Sequence, residues 1–270
     1  MRDPMRLKIS HTTRYDYGQP VPYGLQQLRL TPHSSSSQQI LDWSVSLEGA
    51  RREASFLDQH GNQVELVSVE PGASAIEITS VGEVETKDRA GVVGDHACAA
   101  PLWYFKRQTG FTQSGPALMK LLSGFESADL NSVERLHALM AYIGAQIVYD
   151  TDATHSETTA ESAARTGRGV CQDHTHIFIG MARELGFPAR YVSGYLMMDD
   201  RDQQEASHAW AEAYIDGLGW VGFDVSNKIS PDERYVRIAS GLDYSEAAPI
   251  SGFIYGGGKE SMIVTLQVQQ

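Results

Sequence analysis

The chain has 270 residues, 41% hydrophobic and 21% charged, which are globular proportions with length for one large domain or two small ones. A formal charge of −12 repels phosphate backbones and argues against nucleic acid as a partner. No apolar run reaches membrane-spanning length and the opening "MRDPMRLKIS" has no apolar leader, so the expectation is a cytoplasmic protein with no membrane partner. Met5, just ahead of the first strand pattern, is an alternative start. Cys98 and Cys171 are too few for a disulfide framework, and a reducing compartment would leave both free.

Residues 6 to about 86 read as strands. "RLKISHTTRYDY" alternates, placing Ile9, His11, Thr13, Tyr15 and Tyr17 on one face. "LDWSVSLEG", "NQVELVSVEP" and "SAIEITSVGEVET" follow, with "QHGN" as a turn, and the series predicts a β-sandwich. The pattern loosens from about 87, so the domain boundary is expected near 95: a β-rich domain over 1–95 and a second over 96–270. Trp103, Tyr104 and Phe105 form an aromatic cluster suited to core packing or an interdomain contact.

A helix is predicted over 132–148, with Leu136, Met140, Ile143 and Ile147 in one stripe and Asn131 with Glu134 as a capping box. The polar loop after it places Asp150, Asp152 and Glu161 at positions 1, 3 and 12 of a calcium-loop count. Position 6 is His155 where the sharp turn wants glycine, so a solvated loop is the better reading. A second helix begins at Cys171, with Cys171, Thr175, Phe178, Ala182 and Leu185 on one face, and ends at Gly186 with Pro188 beyond. Strand signals resume in "RYVSGYLMM", "SHAWAEAYI", an Asp216-Gly217 turn and "GWVGFDVS".

Cys171 sits where a reactive thiol would be placed. Unpaired N–H groups at a helix start favour an anion and can hold an oxyanion, and Gly169 lets the chain bend into the helix. A thiol needs an imidazole partner to become a nucleophile at neutral pH. His174 and His176 lie along the same helix and point elsewhere, which suits packing. His208 opens the strand that carries Trp210 and Glu212 on the same face. Asp224 lies on the next strand across the Asp216-Gly217 hairpin and would orient the imidazole. Two rivals stay open: an inert buried Cys171, and a zinc site from Cys171, His174, His176 and His208, which lacks a CxxC pair.

Together, "GRGVCQD", "SHAWAEAY" and "GWVGFDVSN" resemble the bacterial transglutaminase-like family, whose core is papain-like. The segments "HTTRYDYGQPV" and "LRLTP" resemble the β-rich N-terminal region that accompanies this core, and "RIASGLDYSEAAPISG" its C-terminal stretch. The resemblance implies an α+β fold: an N-terminal β-sandwich, then a transglutaminase-like core with the cysteine at a helix N-terminus packed on an antiparallel sheet. It implies Cys171 as nucleophile, His208 as base and acid, and Asp224 as orienter. Two departures stand out: Val225-Ser226 where Pro-Thr is usual, and His174 where an aromatic is commoner. Tyr149 and Trp210 are candidates for an oxyanion or substrate contact; the alternative for Tyr149 is that it closes the preceding helix against the core.

Enzymes of this fold attack an amide or ester carbonyl and leave a thioester. Water as acceptor gives a peptidase, amidase or deamidase, and a lysine amine gives a transglutaminase. An arylamine acetyltransferase is disfavoured because its Arg-Gly-Gly lead-in is only partly present, as "GRG". A cytoplasmic cross-linker would endanger the cell's own proteins, so hydrolysis of a peptide or protein amide is expected, with no metal or other cofactor. A non-catalytic binding module is the reading from a different class.

Overall fold

The computed structural model describes residues 4–126, 130–153, 155–198, 202–204 and 206–270. Residues 1–3, on which the reading of the opening partly rests, and Thr154 of the polar loop lie outside the described residues. In β1 (Met5–Val21), Leu7, Ile9, His11, Thr13, Tyr15 and Tyr17 are buried while Arg6, Lys8 and Arg14 face solvent. The period of two in the sequence is thus a period of two in burial. Next come β2 (Tyr23–Thr31), β3 (Gln38–Glu48), β4 (Ala50–Leu57), β5 (Gln63–Val69) and β6 (Ala73–Thr86). Sequence patterning misses β4. It is an edge strand, exposed from Arg51 to Leu57, so burial imposes no alternation on it.

A short β7 (Val92–Gly94) precedes the helical part: α1 (Pro116–Ser123), α2 (Ser132–Gln146), β8 (Val148–Tyr149), α3 (Ala160–Thr166), β9 (Arg168–Gly169) and α4 (Cys171–Glu184). The capping box of α2 is present: Asn131 Oδ1 accepts from the Val133 and Glu134 amides, and Glu134 accepts from the Asn131 amide. Leu136, Met140, Ile143 and Ile147 are all buried. The remaining elements are β10 (Ala189–Leu196), β11 (Gln203–Gln204), β12 (His208–Ile215), β13 (Gly219–Phe223), β14 (Tyr235–Gly241), α5 (Tyr244–Ala247), β15 (Ile250–Tyr255) and β16 (Glu260–Gln269).

Three sheets organise the chain. One has the order β11-β16-β1-β6-β3 and another β15-β2-β5-β4, and the two face each other across Tyr17, Val21, Leu28, Val67, Ile76 and Ile78. The third, β14-β10-β12-β13-β7, carries the helices. A linear division at 95 does not describe this pairing. The last strands, β15 and β16, pair antiparallel with β2 and β1 and complete the sandwich, while β7 pairs with β13 in the helix-bearing sheet. The two halves are also joined by a shared apolar layer in which Leu7, Ile9, Val84 and Leu266 meet Tyr195, Val236 and Ile238. Each such burial contributes roughly 1.5–3 kcal/mol.

The sequence stripe understates α4. Every residue from Asp173 to Arg183 is buried, because the helix lies between the third sheet and its helical neighbours. Its polar side chains are therefore bonded internally. Arg183 donates to the carbonyls of Phe105, Ala189 and Leu242 and to Thr112 Oγ1, and burial lowers its pKa to about 10. The helix ends as read, with Gly186 at φ +88° and the Phe187 amide bonded to Ala182 O. Of the aromatic cluster, Phe105 is core and packs on Trp220, while Trp103 is 67% exposed. Among the described residues no helix is long and apolar enough to cross a membrane.

Candidate active site

The lead-in to Cys171 is held from two sides. Tyr149 and Gly169 pair in the parallel β8–β9 ladder. The Asp173 carboxylate reaches back to the Val170 amide at 2.8 Å, which satisfies one of the free N–H groups at the helix start. Gly169 serves this contact rather than a bend. Its φ is not left-handed, and a Cβ there would stand 2.6 Å from the Asp173 Cβ. Val170 is extended, so the chain enters α4 at Cys171.

His208 opens β12 and Asp224 follows β13, one step beyond the rung that pairs Ala211 with Phe223. That register settles what hairpin length leaves open: His208 Nε2 donates to Asp224 Oδ2 at 2.6 Å. Cys171, at the start of α4, is near enough to act on the His208 imidazole. With Nε2 committed to Asp224, Nδ1 is the nitrogen left for the sulfur. Burial alone would lower the imidazole pKa, but the bond to Asp224, with the Cys171 side chain and the Asp224 charge alongside, outweighs it and pushes it up to about 10.

Asp224 is buried, which opposes its charge, yet the bonds from His208, Asn227 and Tyr235 hold it below the ordinary carboxylate range. Tyr235 Oη donates to Oδ2 at 2.7 Å and Asn227 Nδ2 at 2.8 Å, while the Asn227 amide donates to Oδ1 at 3.2 Å. Asn227 lies in a tight turn whose next residue, Lys228, has φ +58°. Sequence reasoning missed both holders. An Asx-type turn three residues after Asp224 was a usable signal for Asn227. Tyr235 is an ordinary strand residue with no local signal.

The structure places Trp210 behind the imidazole, outside the wall of the cleft that His208 lines. It is 3% exposed and stacks on His208 at 6.3 Å between ring centres, with Tyr235 edge-on at 5.4 Å. The contact the structure shows for Trp210 is with His208. Tyr149 is 52% exposed, so it does not close α2 against the core. Its ring lies edge-on to His174 at 6.0 Å.

The two helix histidines diverge. His174 Nδ1 meets Ser226 Oγ at 2.9 Å and Nε2 meets Ile147 O at 3.2 Å, so this residue and Ser226, two departures from the family pattern, contact each other. His176 accepts from the Tyr244 amide through Nε2, stacks on Phe111, and is lowered to about 3 by burial. The acids of the calcium count are also dispersed: Asp150 pairs with Arg168 at 3.0 Å, and Glu161 accepts from the Ala117 and Leu118 amides at the start of α1.

An open cleft of about 710 Å³ adjoins His208. Tyr149, Met198, His208, Asn227, Ile229 and Arg234 are among its walls. Its size is that of a site for a peptide-sized ligand.

Residues 120–225 match the transglutaminase-like superfamily, and residues 7–85 match the bacterial transglutaminase-like N-terminal region. The chain belongs to the transglutaminase-like superfamily. Relatives of the same length exist in mycobacteria. An uncharacterized protein of Mycobacterium leprae (strain TN) is 26% identical over 275 residues, covering 97% of this chain and 98% of the relative. One of Mycobacterium tuberculosis (strain ATCC 25618 / H37Rv) is 26% identical over 283 residues, covering 96% and 90%. The solved structure of "a Putative Cysteine Protease" from Cytophaga hutchinsonii superposes with a TM-score of 0.78 at 24% identity, covering 99% of this chain and 91% of that one. That likeness extends the transglutaminase-like fold over the sandwich as well as the core.

Proposed function

We propose that this transglutaminase-like chain is a cysteine-dependent acyl-transfer enzyme that hydrolyses a peptide or glutamine-like amide. The observation that carries the reading is the 2.6 Å bond from His208 to Asp224, with Cys171 near enough to act on the imidazole, which is pushed up to about 10. An imidazole held by a carboxylate is the partner that a cysteine nucleophile needs.

In this reading the Cys171 sulfur attacks the carbonyl carbon and a C–S bond forms. The C–N bond breaks as His208 Nδ1 passes its proton to the leaving nitrogen. A thioester remains. Water then attacks while Nδ1 takes its proton, the C–S bond breaks, and the sulfur returns to its starting charge. The sum is amide plus water to acid plus amine. The helix-start N–H of Cys171 and the hydroxyl of Tyr149 are the oxyanion donors in this reading. Trp210, Tyr235 and Asn227 act as positioning residues through His208 and Asp224.

Water is preferred as acceptor because the expected setting is cytoplasmic. An amine acceptor uses the same thioester and is the alternative. Product mass spectrometry on a mixed peptide pool, with and without added lysine-like amine, separates them, with Cys171→Ala as control. Cleavage or deamidation that needs Cys171 and ignores the amine supports hydrolysis. Amine adducts that need Cys171 transfer the conclusion to a transglutaminase. A binding module with an inert thiol gives identical products from wild type and Cys171→Ala.

A further inference from the structure

The cleft that His208 lines has one wall whose hydrogen-bond polarity is set from inside the protein. His174 Nε2 lies 3.2 Å from the Ile147 carbonyl oxygen, which can only accept, so Nε2 carries the ring proton. Burial lowers the pKa of this ring, so it is neutral at pH 7 and its Nδ1 is an acceptor. Ser226 Oγ, 2.9 Å from that Nδ1, must therefore be the donor. With its proton turned inward, the hydroxyl has only lone pairs to offer the cleft whose wall it joins. The two residues lie 52 positions apart, so no local pattern announces the lock.

Asn227, next to it in the same wall, is fixed in the same sense. Its Nδ2 donates to Asp224 Oδ2 at 2.8 Å, which leaves Oδ1 as the end available to a ligand. Two neighbouring side chains thus present acceptors to the cleft beside His208. Acceptors suit N–H groups, of an amide or of a cation, and the charges choose between them. Among the described residues of the wall there is no carboxylate, and the fixed charge is the Arg234 guanidinium, held by Asp232 at 2.6 Å. An ammonium would enter such a wall without a counter-ion, whereas a neutral amide needs none. Leu196, Met197, Met198 and Ile229 give the rest of the wall an apolar surface for side chains. The volume of about 710 Å³ is that of a segment, larger than a single amide group fills.

We propose that Ser226, locked by His174, is a substrate-binding residue that accepts a hydrogen bond from a main-chain N–H of a peptide substrate, with Asn227 Oδ1 as a second acceptor beside it. His174 is the positioning residue: it acts by fixing the direction of the Ser226 hydroxyl. The inference rests on the reading of Cys171 as the nucleophile whose substrate occupies this cleft, and it narrows that substrate from amides in general to a peptide.

The test uses two thiol-reactive probes with the same warhead: iodoacetyl-triglycine amide, and its analogue in which the glycine–glycine amide bonds are esters. The ester removes the N–H donors and changes little else. The rate at which each labels Cys171 in the full chain at pH 6 is read by mass spectrometry. Wild type is expected to favour the amide probe about fivefold, the worth of roughly one hydrogen bond. Ser226→Ala is expected to bring the ratio to about one, Ser226→Thr to keep it, and His174→Phe, which frees the hydroxyl to turn, to reduce it to about twofold. A ratio near one in wild type, or a ratio that Ser226→Ala leaves at the wild-type value, overturns the proposal. A merely structural role for Ser226 slows both probes alike and gives that second result. Plain iodoacetamide, too small to need this wall, is run on the same samples. If it labels Cys171 no faster than Cys98, the nucleophile reading falls and the inference with it. If it labels Cys171 faster while the two probes do not differ, the inference alone falls.

Discussion

Cys98 and Cys171 each lie against an imidazole, and the two neighbourhoods differ in what occupies the second ring nitrogen. Beside Cys98, His96 Nδ1 accepts from Trp220 Nε1 at 3.2 Å and Nε2 donates to Ala100 O at 2.6 Å. Both nitrogens are spent on these two bonds. The Cys98 thiol itself donates to Ala100 O at 3.7 Å. Beside Cys171, the remote nitrogen of His208 faces a buried carboxylate and the near one is left to the sulfur. A Cys–His contact is therefore not a nucleophile by itself. What matters is whether an acid behind the ring stabilises the imidazolium that proton transfer creates.

Substitutions can break this contrast, and the largest effect is expected at the sulfurs. In the peptide-pool assay Cys171→Ala is expected to lose all product formation, while Cys98→Ala keeps the wild-type rate. Equal losses would remove the distinction between the two sites.

Next, Asp224→Asn is expected to lower kcat/KM by about 10²–10⁴, because the amide cannot stabilise an imidazolium. Replacing His96 with Gln beside Cys98 has no comparable partner to lose and is expected to leave kcat/KM unaltered.

Labelling sharpens the comparison without needing a substrate. At pH 6 an ordinary thiol is almost wholly protonated. Iodoacetamide is expected to modify Cys171 at least about tenfold faster than Cys98, and His208→Gln to erase the difference. Equal rates in wild type would show that the carboxylate behind His208 confers nothing.

The smallest effects concern the holders of Asp224 and the pH range. Tyr235→Phe removes one of the hydrogen bonds to Oδ2 and is expected to cost about tenfold in kcat with KM little changed. The folded His208 pKa of about 10 lies above the ordinary 6.5, so its stabilisation is complete below about pH 6.5 and is lost as pH rises through about 10. Urea midpoints of wild type and His208→Gln are expected to converge over that interval. A constant gap would mean that His208 is not held as the cation.

The residue types and order of the site were legible because the chemistry demands them near recognisable elements. A cysteine follows a glycine-containing loop, and a histidine and an aspartate flank one hairpin. The sandwich was legible through alternation wherever one face of a strand is buried, as in β1, and illegible in β4, where neither face is. The packing of Trp210 on His208 was not legible, because sequence reports which face a residue shares, not what it packs against. The Gly169 bend was misread for a related reason: its cause is the returning Asp173 carboxylate, a contact that appears only once α4 is formed.

By itself the sequence determined the local elements, which follow from periodicity along the chain, and the resemblance to the family, which rests on its motifs. Tertiary structure alone decided which nitrogen of His208 meets Asp224, that Tyr235 and Asn227 hold that carboxylate, and that β15 and β16 close the sandwich. It also decided that Tyr15 and Gln26 share the wall of one cleft with Met262, from the other end of the chain. Strand register and long-range pairing are cooperative properties of the whole fold, and no local window of sequence contains them.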